Sequence, residues 1–315
     1  MILTVTPNPS LDRTYEVLSL DRGEVVRATG ERMDPGGKGV NVSRAVAAAG
    51  VRTVAVLPLG GAPGALVAQL LREQGIEAAP VPVAGQTRSN IAVAEPDGTL
   101  TKINAPGPEL SESERELLLA TIGERSAGAD WIACCGSLPR GLKPSWYAEL
   151  VARAHEAGAR IALDTSGPAL LAALAERPDV VKPNVEELAE AVARPLTTVG
   201  DAVEAAQELR KSGARAVLAS LGADGQLLVD ATGTYFASAP VATVRSNVGA
   251  GDSSLAGFLI AGGTGPRALA SAVAHGAAAV QLPGSAMPAP SDLAPDAVTV
   301  TDEVPLTRPL TEPAT

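Results

Sequence analysis

The stretch Asn247-Val-Gly-Ala-Gly-Asp-Ser-Ser-Leu-Ala-Gly-Phe-Leu259 decides how the rest of the chain is read. Two glycines flank one alanine, an acid follows, and apolar residues then recur at helical spacing. Glycine enters positive φ without a Cβ penalty, so Gly249-Ala250-Gly251 can turn successive N–H groups toward one point. A helix starting near Asp252 adds its unpaired first amides and the positive end of its dipole. Such a place holds an anion, and a phosphoryl group is the obvious one. Asp252 then stands beside that anion as a candidate base. The alternative is a glycine-rich turn in which Asp252 only caps a helix.

Working outward, the 315 residues allow one large α/β domain, or one domain with a small appendage. Hydrophobic residues make up 46% and aromatic ones only 2%, so the core must be aliphatic. That suits a buried parallel sheet covered by Ala-rich helices. A net charge of −10 gives no overall attraction to nucleic acid or to an anionic membrane, so an anion site has to be local. Cys134 and Cys135 are adjacent, which makes neither a metal site nor a disulfide framework. They are expected as core thiols on opposite faces of a strand, in a cytoplasmic protein. The opening Met1-Ile-Leu-Thr-Val-Thr-Pro7 has no basic segment and too short an apolar run for a signal peptide. The longest apolar tract, Leu255–Leu282, is interrupted at Gly262-Gly263, Gly265-Pro266 and Arg267, and reads as two packed helices.

Taken in order, Ile2–Thr6 reads as a buried strand closed by Pro7-Asn-Pro-Ser10. Arg13–Asp34 is sparse in apolar residues and fits an exposed ribbon. A glycine loop at Gly36 leads into an Ala-rich helix that stops at Gly50. Thr53–Leu59 is a strand and Gly64–Gln74 a helix; Thr87–Ala94 and Thr99–Asn104 flank Pro96-Asp-Gly98 as a hairpin. Beyond Pro106 strands and helices alternate: strands at Asp130–Cys135, Arg160–Asp164, Val180–Lys182 and Ala216–Ser220, with helices between them. That rhythm predicts a doubly wound, mostly parallel sheet flanked by helices. Its core comprises 1–11, 36–86 and 106–304; two short β ribbons outside the rhythm take 12–35 and 87–105; and 305–315, rich in Pro and Thr, reads as a loose tail.

Ligands of a doubly wound sheet bind at the carboxyl ends of its strands. Polar and glycine clusters fall at those ends: Asp12, Ser137, Asn184 with Glu187, and Ser220–Gly225. Gly36-Gly-Lys-Gly-Val-Asn41 has the wrong order for a Walker P-loop and lacks a hydroxyl after the lysine. A dinucleotide fingerprint after the first strand is also missing, which disfavours a nicotinamide oxidoreductase. Only two histidines are present, His155 and His275, both in helical patterns, so His-based nucleophilic or zinc chemistry is disfavoured.

Together, Gly36-Gly-Lys-Gly-Val-Asn41, Gly136-Ser-Leu-Pro139, Lys182-Pro-Asn-Val-Glu-Glu187, Ser220-Leu-Gly-Ala-Asp-Gly225 and Gly249-Ala-Gly-Asp252 resemble the ribokinase/PfkB carbohydrate kinases, in the family's order and over roughly 1–300. The resemblance implies a ribokinase-like fold and phosphorylation of a ketohexose phosphate by Mg-ATP. D-fructose 1-phosphate fits best, with tagatose 6-phosphate and fructose 6-phosphate as alternatives and a silent sensor as a remote one. It also implies roles. Asp252 takes the proton of the attacking hydroxyl, and the amides of Gly249, Ala250 and Gly251 stabilise the moving phosphoryl group. Asn184 and Glu187 hold Mg²⁺ through water, and Lys182 reaches the ATP phosphates. Ser220, Gly222, Ala223, Gly225 and Gly276 line the nucleotide. Asp12, Gly36, Gly37 and Asn41 hold sugar hydroxyls, while Arg88, with Ser137 and Lys38, meets the acceptor's phosphate. The ribbons over 12–35 and 87–105 correspond to the family's small β-sheet lid; lid pairing implies a homodimer, and in some relatives a cation from the region of Arg27 comes from the partner subunit. One departure is Asn247, where many relatives carry threonine; local tuning is expected from it.

Overall fold

Ile2–Val5 (β1) is a short, fully buried strand, and the chain passes from it almost directly into β2 (Ser10–Glu16), which leaves the main sheet. This computed structural model describes residues 1–314. β3 (Gly30–Gly36) returns the chain to helix α1 (Lys38–Ala48), strand β4 (Thr53–Leu59), helix α2 (Gly61–Glu73) and strand β5 (Glu77–Pro82). A second excursion, β6 (Arg88–Ala94) and β7 (Leu100–Ile103), precedes a regular alternation. It runs through α3 (Glu112–Arg125), β8 (Trp131–Cys135), α4 (Trp146–Glu156), β9 (Arg160–Asp164), α5 (Gly167–Leu174) and β10 (Val180–Val181). Next come α6 (Val185–Val192), β11 (Leu196–Thr198), α7 (Val199–Lys211) and β12 (Val217–Ser220). The hairpin β13 (Gln226–Val229) and β14 (Thr234–Ser238) is followed by α8 (Ala250–Ile260), α9 (Gly265–Ala279), β15 (Thr299–Thr301) and β16 (Pro309–Ala314).

The main sheet has the order β15-β14-β13-β12-β10-β9-β8-β1-β4-β5. Strands β12 to β5 run parallel, and the hairpin adds an antiparallel edge. Residues of opposite parity enter two different cores, as a two-residue period requires. Leu3, Val5, Ile132 and Cys134 pack under α3 to α7, whereas Ile2, Trp131, Ala133 and Cys135 pack under α1, α8 and α9. The adjacent cysteines therefore sit back to back, both buried and free. Three hydroxyls in this interior satisfy one another: that of Ser43 lies 2.6 Å from Thr4 Oγ1 and 3.0 Å from Thr53 Oγ1. Helix starts follow local chemistry. Ser111 with Glu114, Asn184 with Glu187 and Thr198 with Asp201 each form a capping box.

The excursions assemble a separate sheet in the order β3-β2-β6-β7, in which β2 and β6 run parallel. The ribbon expected over 13–34 is strand only at its two ends; Val25, 80% exposed, belongs to the connecting loop. The loose tail expected over 305–315 is not what the described residues do. Pro309–Ala314 pairs antiparallel with β11, and Leu310 is buried in the larger core. Composition misled here because a strand's partner lies far away in sequence. Thr315 lies outside the described residues.

No helix among the described residues is long and apolar enough to cross a membrane. The apolar tract over 255–282 is instead the antiparallel pair α8 and α9, packed closely enough that only glycine fits at Gly257. A Cβ there would stand 2.5 Å from His275 Nδ1 and 2.7 Å from the Ser271 carbonyl oxygen. Gly123, on the exposed face of α3, would meet nothing within 4 Å. Gly123→Ala is therefore expected to stabilise the fold by about 0.4–1 kcal/mol, while Gly257→Ala destabilises it by about 1–3 kcal/mol. Urea unfolding midpoints check both; a neutral Gly257→Ala would disprove the close crossing.

Candidate active site

At the carboxyl ends of the parallel strands, four charged side chains converge. Asp164 ends β9 with no exposed surface. Lys38, the first residue of α1, donates to Asp164 Oδ1 at 2.7 Å, and Lys182, just past β10, lies 3.0 Å from Oδ2. Lys38 Nζ is also 3.4 Å from Glu187 Oε1. Burial alone would raise the Asp164 carboxyl, but the two ammonium groups reverse this and hold it below its ordinary value. Burial alone would lower Lys38; Asp164 and Glu187 outweigh it, and Lys38 is held firmly protonated.

Asp252 lies in the first turn of α8, 7% exposed. Asn41, from α1, donates its side-chain N–H to Asp252 Oδ2 at 2.9 Å. Arg44 donates in turn to Asn41 Oδ1 at 3.4 Å, which orients that amide. Oδ1 of Asp252 has no partner among the described residues. Burial first, and then the nearby charge of Asp164, push the Asp252 carboxyl up to about 6; Asn41, Lys182 and Lys38 oppose this.

The sequence around Asp252 builds an open helix end. Gly249 caps α8 at φ 78°, a left-handed conformation that suits glycine. No side chain caps this helix, and the amides of Gly251 and Asp252 find no acceptor among the described residues. A Cβ on Gly251 would lie 3.3 Å from Lys182 Nζ, so the lysine approaches the helix end closely. A cation beside unpaired amides is a poor arrangement until an anion joins them, and then a good one.

Two cavities flank this cluster. The smaller, about 560 Å³, is lined by Gly37, Lys38, Arg88, Ser137 and Glu187, with Asn8, Asn104 and Arg140. Arg88 donates to the carbonyls of Ala105 at 2.9 Å and Asn8 at 3.0 Å, while its buried Nε has no partner. Burial lowers the Arg88 pKa, with Asp12 opposing. Ser137 accepts from Asn8 at 3.3 Å. The larger cavity, about 800 Å³, is lined by Asn184, Ser220, Gly222, Ala223, Gly225 and Gly276, and it reaches Asn247, Ala250 and Gly251. The first turn of α6 borders both: Asn184 faces the larger and Glu187 the smaller.

Asp12 and Gly36 stand side by side where β2 pairs with β3, and a Cβ on Gly36 would fall 2.2 Å from an Asp12 carboxylate oxygen. Asp12 accepts from Ser10 at 2.6 Å and from Asn90 at 2.9 Å. It lines neither cavity, and neither does Arg27, which is exposed in the 17–29 loop. Asn184 and Glu187 occupy each other as a capping box, with Asn184 Oδ1 accepting from the Glu187 amide at 2.7 Å. Sequence reasoning missed Asp164, although an acid ending a buried strand at the ligand-binding edge was itself the signal. It also missed Asn8, between Pro7 and Pro9, and Arg140, directly after Pro139.

A doubly wound sheet with two cavities that share the start of α6, the larger of them reaching the uncapped start of α8, defines the ribokinase-like class. The match is direct. Residues 6–292 fit the family described as pfkB family carbohydrate kinase, and the chain belongs to that family. It is 40% identical over 305 residues to a 1-phosphofructokinase of Rhodobacter capsulatus, covering 95% of this chain and 96% of that one. It is 38% identical over 255 residues to the ATP-dependent 6-phosphofructokinase isozyme 2 of Escherichia coli, covering 80% and 82%. Among solved structures, phosphofructokinase-2 from Escherichia coli superposes with a TM-score of 0.88 at 35% identity, over 92% of this chain and 96% of that one.

Proposed function

We propose that this chain transfers the γ-phosphoryl group of ATP to D-fructose 1-phosphate, giving D-fructose 1,6-bisphosphate and ADP. The observation that carries the reading is Asp252: a carboxylate with one oxygen held by Asn41 and the other free, at an uncapped helix start whose first residues, Ala250 and Gly251, line the larger cavity. The larger cavity takes the nucleotide, with glycines allowing close approach, and brings its terminal phosphate to the start of α8, where the Gly251 amide is unpaired. The smaller takes the sugar phosphate. There Arg88, with a spare Nε donor, and Arg140 present the cations that a phosphate dianion needs.

In the transfer, Asp252 accepts the proton of the C6 hydroxyl as that oxygen bonds to the γ-phosphorus and the bond to the β-phosphate oxygen breaks. Lys182 and the α8 amides receive the charge that spreads over the moving group, and Lys38 faces the acceptor side. Glu187 and Asn184 offer oxygen donors at the border of the two cavities, the ligand type a hydrated magnesium ion takes. Those two residues would hold Mg²⁺ through water, and the ion would supply further neutralisation of the phosphates. Asp164 keeps both lysines in place without touching substrate.

Asp252→Asn is expected to bind both substrates and to lose about 10²–10⁴-fold in kcat. In the parent, kcat/KM should rise with pH and reach half its limit near 6, because the carboxyl must be ionised to accept the proton. A folded Asp252→Asn enzyme with near-normal turnover would sink this assignment.

The relative named ATP-dependent 6-phosphofructokinase favours a second reading, with fructose 6-phosphate as the acceptor. Tagatose 6-phosphate remains the third. A coupled assay of the three sugars at equal concentration decides; fructose 1-phosphate should give the highest kcat/KM, and any other order overturns the specific substrate.

We also propose a homodimer through the small sheets. Leu18, Leu20, Val25, Met33, Leu100 and Ile103 are all exposed there, which is the larger share of the exposed large apolar side chains among the described residues. Sheet faces and edges of this kind are stable when covered. Sedimentation at micromolar concentration should give twice the chain mass of 31.7 kDa, and a monomer would refute the pairing.

A further inference from the structure

The loop that walls the larger cavity is anchored from outside itself. Gly222–Asp224 forms a single 3-10 turn, with Gly222 at φ 58° and Gly225 at φ 123°. A Cβ on Gly225 would stand 2.3 Å from the Ala237 carbonyl oxygen, so the turn is pressed against β14. Asp224 closes the turn with its side chain 3% exposed. All of its recorded donors come from one distant segment. Arg308 Nη2 donates to Oδ1 at 2.8 Å, the Thr311 amide to Oδ2 at 2.7 Å, and Thr311 Oγ1 to Oδ1 at 3.1 Å. Arg308 also lies over the Phe236 ring, 5.8 Å from its centre.

The same segment is fastened elsewhere. The Val199 amide donates to the Arg308 carbonyl at 2.9 Å, and the Gly200 amide to that of Leu306 at 2.9 Å. These are first-turn amides of α7, which a helix leaves without internal partners. Leu310 is sunk in the core beside them. The segment is thus a crossing strip held at α7 and by its own core residue, and its free bonding capacity goes to Asp224.

We infer that residues 306–311 are a strap that holds the Ser220–Gly225 loop in its ligand-binding shape, with Asp224 and Arg308 as positioning residues for the nucleotide. The inference rests on the placement of ATP in the larger cavity. A carboxylate this buried is tolerable only while its donors remain. Without Arg308 the loop turns Asp224 toward water, and Gly222 and Ala223, which line the cavity, move with it.

The test uses full-length protein carrying Arg308→Met, Arg308→Lys or Asp224→Asn. Steady-state kinetics for both substrates and calorimetric titration with ATP provide the readouts. Arg308→Met should raise KM and Kd for ATP about tenfold, as the loss of one charge-assisted hydrogen bond does. The kcat and the KM for the sugar phosphate should stay within about twofold, and Arg308→Lys should recover part of the loss. A rise shared equally by both substrates, or an ATP KM within about twofold of the parent in both Arg308→Met and Asp224→Asn, overturns the strap. Ala277→Phe, which fills the larger cavity, separates the two readings. If it leaves ATP binding intact, the nucleotide placement fails and the strap with it. If it abolishes ATP binding while neither Arg308→Met nor Asp224→Asn changes the ATP KM, the strap alone fails.

Discussion

Asp164 is a negative charge with no access to water, and the pair of ammonium groups around it makes that position tolerable. Lys38 comes from the start of α1 on one face of the sheet, and Lys182 from the end of β10. A buried ion cluster of this kind contributes little net stability, but removing one partner costs about 3–5 kcal/mol. The three groups therefore stay together, and each is fixed by the others. Two consequences follow for Asp252. The like charge of Asp164 helps raise its carboxyl toward neutral pH, and Lys182 stands beside the unpaired amides of α8.

Phosphoryl transfer asks a protein mainly for position and charge, and the architecture supplies both with short-range devices. The α6 capping box fixes Asn184 and Glu187 against each other at the border of the two cavities. Arg44, Asn41 and Asp252 form a chain of hydrogen bonds that aims one carboxylate oxygen away and leaves the other free. Asn184 bridges to Ser220, so the loops from β10 and β12 share one edge. None of these devices requires an aromatic side chain, which agrees with a chain in which aromatics are 2%.

The parallel core was legible because its signal is local and repeated: apolar runs such as Val54–Leu57 and Ile132–Cys135, each closed by turn residues and followed by an Ala-rich helix. The helix start at Gly249–Asp252 was legible for the same reason, since glycine and an acid at a helix start leave few readings. Asp164 was passed over because a single acid after Ile161-Ala-Leu looks like the polite end of a strand; what makes it central is two lysines, 126 and 18 residues away in sequence, and no local pattern encodes them. Residues 309–314 were misread for a related reason. Pro and Thr describe how a segment behaves alone, whereas its strand depends on β11 and its anchor on Asp224. Asn184 and Glu187 show a different limit: the spacing that resembles a metal element is also the spacing of a capping box, and here the box is formed.

The back-to-back thiols of Cys134 and Cys135 give the protein a built-in gauge. Each points into a different core, and burial raises both well above the ordinary thiol range, so neither offers a thiolate at the surface. A thiol reagent can reach one sulfur only when the helices over α3 to α7 lift, and the other only when α1, α8 and α9 do. The pace at which the two sulfurs are consumed therefore clocks the opening of the two sides of the sheet separately, with no dye or label introduced.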